Sequence, residues 1–414
     1  MIIKEIPMEK ISGGVTAPTG FKAGAIEAGI KYENRKDLAI LVSEKPCVTA
    51  GTFTTNVVKA APVVWDRDIV KGNGISQAVV VNSGIANACT GEKGKKYCEE
   101  TAETLANALN IPKSSVLIAS TGVIGMQLKI DRIKVGIEAI IPRLSHELAA
   151  GHEAAEAIMT TDTHPKEFAV SFTLEDKEIR IGGMCKGSGM IHPNMCTMLS
   201  FLTTDISISR DLLQEALSDS VKESYNMISV DGDTSTNDTC LLLANGMAGN
   251  AKILEKNDAY YCFLEALKKV NIELAKMMAG DGEGAKALFT VRVIHADTLD
   301  NARVLARSVV SSSLTKAAIF GHDANWGRIL CALGYSGADF DPNNMELYLG
   351  TESEKLLLFA NGEPVDYSEK EATRLLSGEE VTVTADMKMG DAAATAWGCD
   401  LTYDYVRINA DYRS

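Results

Sequence analysis

An α/β (α+β) fold with buried sheets is what this sequence predicts, and three observations lead there. Short, β-branched apolar runs at 38–42, 78–81 and 116–119 have the length of buried strands rather than helices. Between them lie segments whose apolar residues recur at helical spacing. The alternation continues over 414 residues without a fixed short repeat or a low-complexity linker. That length has room for a large core or two lobes.

In chain order, the first 36 residues are turn-rich, with Ser12-Gly13-Gly14 and Ala17-Pro18-Thr19-Gly20. A helix over 94–109 places Cys98, Ala102, Leu105 and Leu109 on one face. Residues 131–145 repeat that pattern with Ile133, Ile137, Ile140 and Leu144, with Asp131 as N-cap and Pro142 shortening the end. A buried strand is expected from Thr197 through Leu202. After it come a helix over 208–226, a polar loop at 231–238 and a strand at 239–244. A long helix at 258–279, capped by Asp258, turns Phe263, Leu267, Val270, Leu274 and Met277 inward. Strands at 287–295, 315–320, 344–349 and 380–386 alternate with helices at 299–311 and 368–377. The run 400–410 alternates residue by residue and reads as a last strand, which would tie down the C-terminus.

Composition narrows the function classes. A hydrophobic content of 46% with 23% charged residues is ordinary for a soluble enzyme. The net charge of −14 and the lack of a basic run flanked by aromatics argue against nucleic acid and anionic membranes. The first residues carry no basic stretch followed by an apolar one, and no apolar run approaches a bilayer span. The nine cysteines are scattered without a C-x-x-C pair, which suggests neither zinc nor a disulfide framework. They read as reduced, mostly buried residues of a cytoplasmic protein.

The most chemically suggestive stretch runs from Lys186 to Phe201. It contains Gly187-Ser188-Gly189, His192-Pro193-Asn194 and then Cys196-Thr197 before the apolar run. Its spacing admits two readings. One is a glycine-rich bend entering a core strand. The other is self-cleavage: attack of the Thr197 hydroxyl on the Cys196 carbonyl would leave Thr197 as a new N-terminus, its amine able to activate its own hydroxyl. Two other segments are decoys. Asp231-Gly232-Asp233-Thr234-Ser235-Thr236-Asn237-Asp238 imitates a calcium loop, but Thr236 stands where an EF-hand needs Gly and Leu242 where it needs Glu. Gly280-Asp281-Gly282-Glu283-Gly284-Ala285-Lys286 lacks Walker spacing, and Ala287 follows its lysine.

Seven segments together resemble the ornithine acetyltransferase family, the glutamate N-acetyltransferases of the cyclic arginine pathway. They are 120–125 (Ser-Thr-Gly-Val-Ile-Gly), 159–163 (Met-Thr-Thr-Asp-Thr), 186–201, 230–239, 280–285, 321–328 and 396–414. They occur in family order to the last residue. The resemblance implies mixed β-sheets sandwiched with helices, a fold shared with self-processing aminopeptidases, and a cut between Cys196 and Thr197. The N-terminal chain 1–196 and the C-terminal chain 197–414 would then intertwine around one active site. It makes Thr197 the nucleophile, Thr121 and Gly122 the oxyanion hole, and Thr163, Lys186, Thr197, Glu283, Asn409 and Ser414 the substrate-binding residues. Family proteins commonly carry Ala before the cut, where this chain has Cys196.

The implied reaction carries acetyl from N2-acetylornithine to glutamate, giving ornithine and N-acetylglutamate, with no metal or other cofactor. Acetyl-CoA is a further donor the sequence does not decide. The implied assembly is a heterotetramer of two chains of each kind. Competing readings are a related N-terminal-nucleophile amidase or aminopeptidase, which would use water as acceptor, and a catalytically silent binding relative.

Overall fold

The computed structural model describes residues 7–192, 198–351 and 353–411. The chain divides into two compact units, one of Met1–Gly187, Asn194–Tyr225 and Thr234–Leu274, the other of Ser188–Pro193, Asn226–Asp233 and Ala275–Ser414.

In the first unit the strands are β1 (Glu9–Ile11), β2 (Phe21–Ile26) and the long β3 (Leu38–Phe53), followed after helix α1 (Ala61–Lys71) by β4 (Ile75–Asn82). Helix α2 (Gly91–Leu109) leads to β5 (Val116–Ser120). Helices α3 (Ile130–Ile140) and α4 (Leu148–Ala157) lead to the hairpin β6 (Lys166–Leu174) and β7 (Lys177–Lys186). Then come β8 (Leu199–Thr204) and α5 (Arg210–Glu223). After β9 (Ile228–Ser229), which belongs to the second unit, come β10 (Thr239–Ala244) and α6 (Asp258–Gly280). Nine strands form one mixed sheet in the order β1-β6-β7-β8-β10-β3-β4-β5, with β2 on β3.

Burial on both faces explains the continuous apolar runs of β3 and β4. Ala39, Leu41, Val79 and Val81 face one cluster with Ala154, Ala155 and Ala157 of α4. Leu38, Ile40, Ala78 and Val80 face the other, with Cys98, Ala102 and Leu105 of α2 and Ile133, Ile137 and Ile140 of α3. Each large aliphatic side chain sealed this way contributes about 1.5–3 kcal/mol. Period-two strands and period-3.6 helices therefore meet where the sequence patterns place them.

The second unit adds β11 (Leu288–Ala296), α7 (Leu299–Ser311), α8 (Ser313–Phe320), α9 (Trp326–Gly334), β12 (Glu346–Gly350), β13 (Lys355–Ala360) and β14 (Glu363–Pro364). It ends with α10 (Glu369–Leu376), β15 (Glu380–Asp386), β16 (Ala392–Cys399) and α11 (Tyr403–Ala410). Its seven-stranded sheet has the order β14-β13-β12-β15-β11-β16-β9, and α7 packs on β11 and β16. No described helix is long and apolar enough to cross a membrane.

Several local expectations are corrected. Residues 315–320 are helical, because the Ser312 side chain caps α8 by accepting from Thr315 N–H. Most of the run 400–410 is helix α11 (Tyr403–Ala410), started by the Thr402 side chain accepting from Asp404 N–H. Lys129, not Asp131, occupies the N-cap of α3, and Asp131 sits in its first turn, where a carboxylate suits the helix dipole. The side chain of Asn257 rather than Asp258 caps α6, accepting from Tyr260 N–H at 3.1 Å. Met278 rather than Met277 is fully buried on that helix.

Candidate functional site

Strand register brings one group of the expected residues to an end of the first sheet. Lys186 closes β7 opposite Leu199, the first residue of β8. Parallel pairing sets Leu199 level with Thr239 on β10, and Thr239 N–H donates to the Met198 carbonyl at 2.8 Å. Cys196 and Thr197, which precede Met198 in the chain, lie outside the described residues, as does Ser414.

Lys186 is buried and donates from Nζ to Thr121 Oγ1 at 3.3 Å. A lysine ammonium only donates, so the Thr121 oxygen accepts and its own hydroxyl hydrogen is directed elsewhere. The cation is balanced by Asp162, whose side chain is fully buried with that of Lys166. Asp162 accepts from Lys166 Nζ at 2.7 Å, from Gly187 N–H at 2.7 Å and from Thr160 N–H at 3.0 Å. Burial by itself would raise this carboxyl. Lys186, Lys166 and the Thr160 amide outweigh it and hold the group well below the usual carboxylate range. Arg35 pins the same segment by donating to the Met159 and Thr160 carbonyls. Thr163 stands one residue past Asp162, exposed, with Oγ1 3.1 Å from His164 Nδ1.

Thr121 and Gly122 form the turn leaving β5. The flanking amides are used: Thr121 N–H donates to Asn82 O at 3.0 Å and Val123 N–H to Gly84 O at 3.1 Å. Gly122 has φ of 128°, and a Cβ there would stand 2.2 Å from the Gly84 carbonyl carbon, so only glycine fits. Asn237, buried, clamps the approach to this turn through Nδ2, donating to Ser120 O at 2.8 Å and Ala86 O at 2.6 Å. The result is a hydroxyl and a constrained amide beside a buried ammonium, an arrangement suited to an oxyanion.

A separate group of expected residues lies within the second unit. Glu283 is buried, its N–H donates to Ser188 O at 2.9 Å, and its Oε2 accepts from Asn409 Nδ2 at 2.6 Å. Asn409 lies on α11 and also donates to Tyr405 O, one turn earlier, at 3.0 Å. A Cβ on Gly189 would come within 2.4 Å of the Glu283 carboxyl, so the glycine leaves room for that acid. Asp231 accepts from Met190 N–H at 2.6 Å and Ile191 N–H at 2.9 Å, and so organises the chain before residue 193. The pseudo-calcium loop thus begins as a backbone clamp.

His192 has a structural role. Arg307 donates to its Nε2 at 3.2 Å, which places the ring proton on Nδ1 facing Ser229 Oγ at 3.0 Å. Burial, then Arg307, pushes its pKa down. Of the expected site residues, the structure joins Lys186 to Thr121 and Glu283 to Asn409. The sequence reading gave no role to Asp162, Lys166 or Asn237.

The ArgJ family model matches residues 22–414. An arginine biosynthesis bifunctional protein ArgJ of Symbiobacterium thermophilum is 53% identical over 409 residues, covering 98% of this chain and 100% of that protein. The protein of the same name from Thermotoga neapolitana is 51% identical over 399 residues, covering 96% of this chain and 99% of its own. A crystal structure of ornithine acetyltransferase complexed with ornithine, from Mycobacterium tuberculosis, is 40% identical, with a TM-score of 0.43. It covers 45% of this chain and 99% of that one.

Proposed function

The chain belongs to the ArgJ family, and from that premise we propose that it moves acetyl from N2-acetylornithine to glutamate through an acyl-enzyme on Thr197. A covalent intermediate lets ornithine leave before glutamate arrives, so the acetyl group is not lost to water. Thr197 Oγ attacks the acetyl carbonyl, and the α-amine of the same residue takes the hydroxyl proton. That amine exists only after the Cys196–Thr197 bond has been cut. Its ordinary pKa of about 7.7–8.0 suits it to exchange protons near neutrality.

The observation that carries this reading is the Lys186–Thr121 contact of 3.3 Å beside the Gly122 turn. The Thr121 hydroxyl and Gly122 amide receive the negative oxygen of the tetrahedral intermediate. Lys186 orients Thr121 and adds positive charge for a substrate carboxylate. Glu283 and Asn409 recognise the ammonium group of ornithine, with Thr163 and Ser414 completing the substrate contacts. Hydroxyl, amine and oxyanion donors are chemically sufficient, so no metal or other cofactor is invoked. Acetyl-CoA, whose thioester is open to the same nucleophile, is proposed as a second donor. The cut chains, 1–196 and 197–414, are proposed to form a cytoplasmic heterotetramer with two copies of each.

The test is to supply N2-acetylornithine without glutamate, quench, and weigh the fragments. One added acetyl group on 197–414, at its first residue, is expected. An unmodified fragment or an acetyl group elsewhere overturns the reading. Gly122→Ala should slow acetyl transfer about 10²–10³-fold by displacing the oxyanion amide, as measured by initial rates on the folded, cleaved variant.

A further inference from the structure

Asp66 on α1 is a fully buried carboxyl with no part in the reaction as written. Its Oδ1 accepts from Ile118 N–H at 2.7 Å, and its Oδ2 has no hydrogen-bond partner among the described residues. A buried carboxyl held by one bond is costly and calls for a reason. Strand β5 supplies one. It is the last strand in the order of the first sheet, paired to β4 on one side, and all five of its residues are buried. Successive residues of a strand aim their N–H and C=O groups at opposite edges. Thr121 N–H reaches back to Asn82 O on β4, so Val116, Ile118 and Ser120 turn their backbone groups to the outer edge. Buried there, those groups need partners. Side chains provide them at every second residue. Trp65 Nε1 donates to Val116 O at 3.0 Å, Asp66 accepts from Ile118 N–H, and Asn237 Nδ2 donates to Ser120 O at 2.8 Å.

We propose that Trp65 and Asp66 are positioning residues for acetyl transfer: standing in for a neighbouring strand, they fix the height and twist of β5 and so hold Thr121 and Gly122 where the oxyanion forms. This rests on the oxyanion reading above. The ladder to β4 grips only the inner edge of β5, and a strand held along one edge is free to twist about it. Asn237 secures the outer edge at the end nearest Thr121. Trp65 and Asp66, adjacent in sequence, secure the remainder, so a single helix sets both contacts. The turn they support has no slack: a Cβ on Gly122 would stand 2.2 Å from the Gly84 carbonyl carbon, and Thr121 Oγ1 lies 3.3 Å from Lys186 Nζ. A displacement of about 1 Å at such a site can cost about 10²-fold in rate.

Asp66→Ala removes the acceptor from Ile118 and keeps every group of the turn. On the folded, cleaved enzyme, kcat is expected to fall about 10–100-fold with KM for N2-acetylornithine unchanged, as when an interaction made only in the transition state is lost. Asp66→Asn, which keeps an oxygen for Ile118 N–H, should restore most of the rate. The deciding measurement repeats Asp66→Ala in the Gly122→Ala background. If Asp66 acts through the turn, its loss costs far less there, because the turn is already displaced. An equal cost in both backgrounds, or an Asp66→Asn enzyme as slow as Asp66→Ala, overturns the proposal and leaves the oxyanion reading intact. A Gly122→Ala enzyme with the parental rate overturns both. Should Asp66→Ala fail to fold, Trp65→Phe replaces it, withdrawing the indole N–H from Val116 O while keeping an aromatic ring. A lowered kcat with the same dependence on Gly122 is then expected, and a parental kcat overturns the proposal.

Discussion

Replacing Thr197 by alanine is expected to leave one uncut chain of 44.3 kDa, while the parent resolves into 1–196 and 197–414. The substitution removes the hydroxyl together with the γ-methyl and keeps the backbone. Without that hydroxyl there is no attack on the Cys196 carbonyl, no new amine, and no acceptor for the acetyl group. Acetyl transfer should therefore fall on the order of 10⁶-fold, the scale on which enzymes lose activity with their nucleophile. Thr197→Ser should still be cut and retain part of the rate. Gel mobility and fragment masses report the first effect, and release of ornithine reports the second. A cut or active Thr197→Ala chain would contradict the mechanism.

The largest expected effect on stability comes from Asp162→Ala. This carboxylate balances Lys166 and acts on Lys186, and its side chain and that of Lys166 are shielded from water. Removing one partner of a buried ion pair costs about 3–5 kcal/mol, because the remaining charge stays out of water. A lower Tm and denaturant midpoint should result. Asp162→Asn, which keeps hydrogen-bonding capacity but loses the charge, should lie between. The folded-state pKa of Asp162 is depressed, so its stabilisation is complete above the unfolded value of about 3.9 and fades as pH falls through the folded one. The stability gap between parent and Asp162→Asn should consequently narrow below about pH 4. A gap that widens in acid would show that the pairing is misassigned.

How much of this was legible in the sequence depended on how many patterns agreed. The runs in β3 and β4 could be read directly, because burial on both faces leaves no polar residue to blur them. Residues 315–320 and 400–410 misled for a shared reason. Each is short, and a run of six to eleven residues can satisfy both a two-residue and a 3.6-residue period. The deciding signals were the hydroxyls just ahead of the helices, at Ser312 and Thr402, which capture free amides. In the site, Thr121, Gly122, Lys186, Glu283 and Asn409 came from family resemblance rather than from spacing. Asp162 and Lys166 did leave a trace, an acid four residues before a lysine at the head of an apolar strand. Nothing local distinguishes that from a surface ion pair until tertiary packing hides both. Asn237 clamps Ser120, 117 positions away, so no local window contains both.

Strand β8 lies inside the first sheet, with β7 on one side and β10 on the other. β7 ends before residue 197 and β10 begins after it, so the predicted cut would divide one sheet between two molecules. The ladder to β7 and the pairing of β10 with β3 would become intermolecular without any hydrogen bond being broken. The order of manufacture follows: translation as one chain, folding, then scission. Made from separate genes, each piece would expose strand edges that the other was meant to cover, and aggregation would compete with assembly. The single reading frame acts as the assembly jig, and the severed bond is the tether it leaves behind.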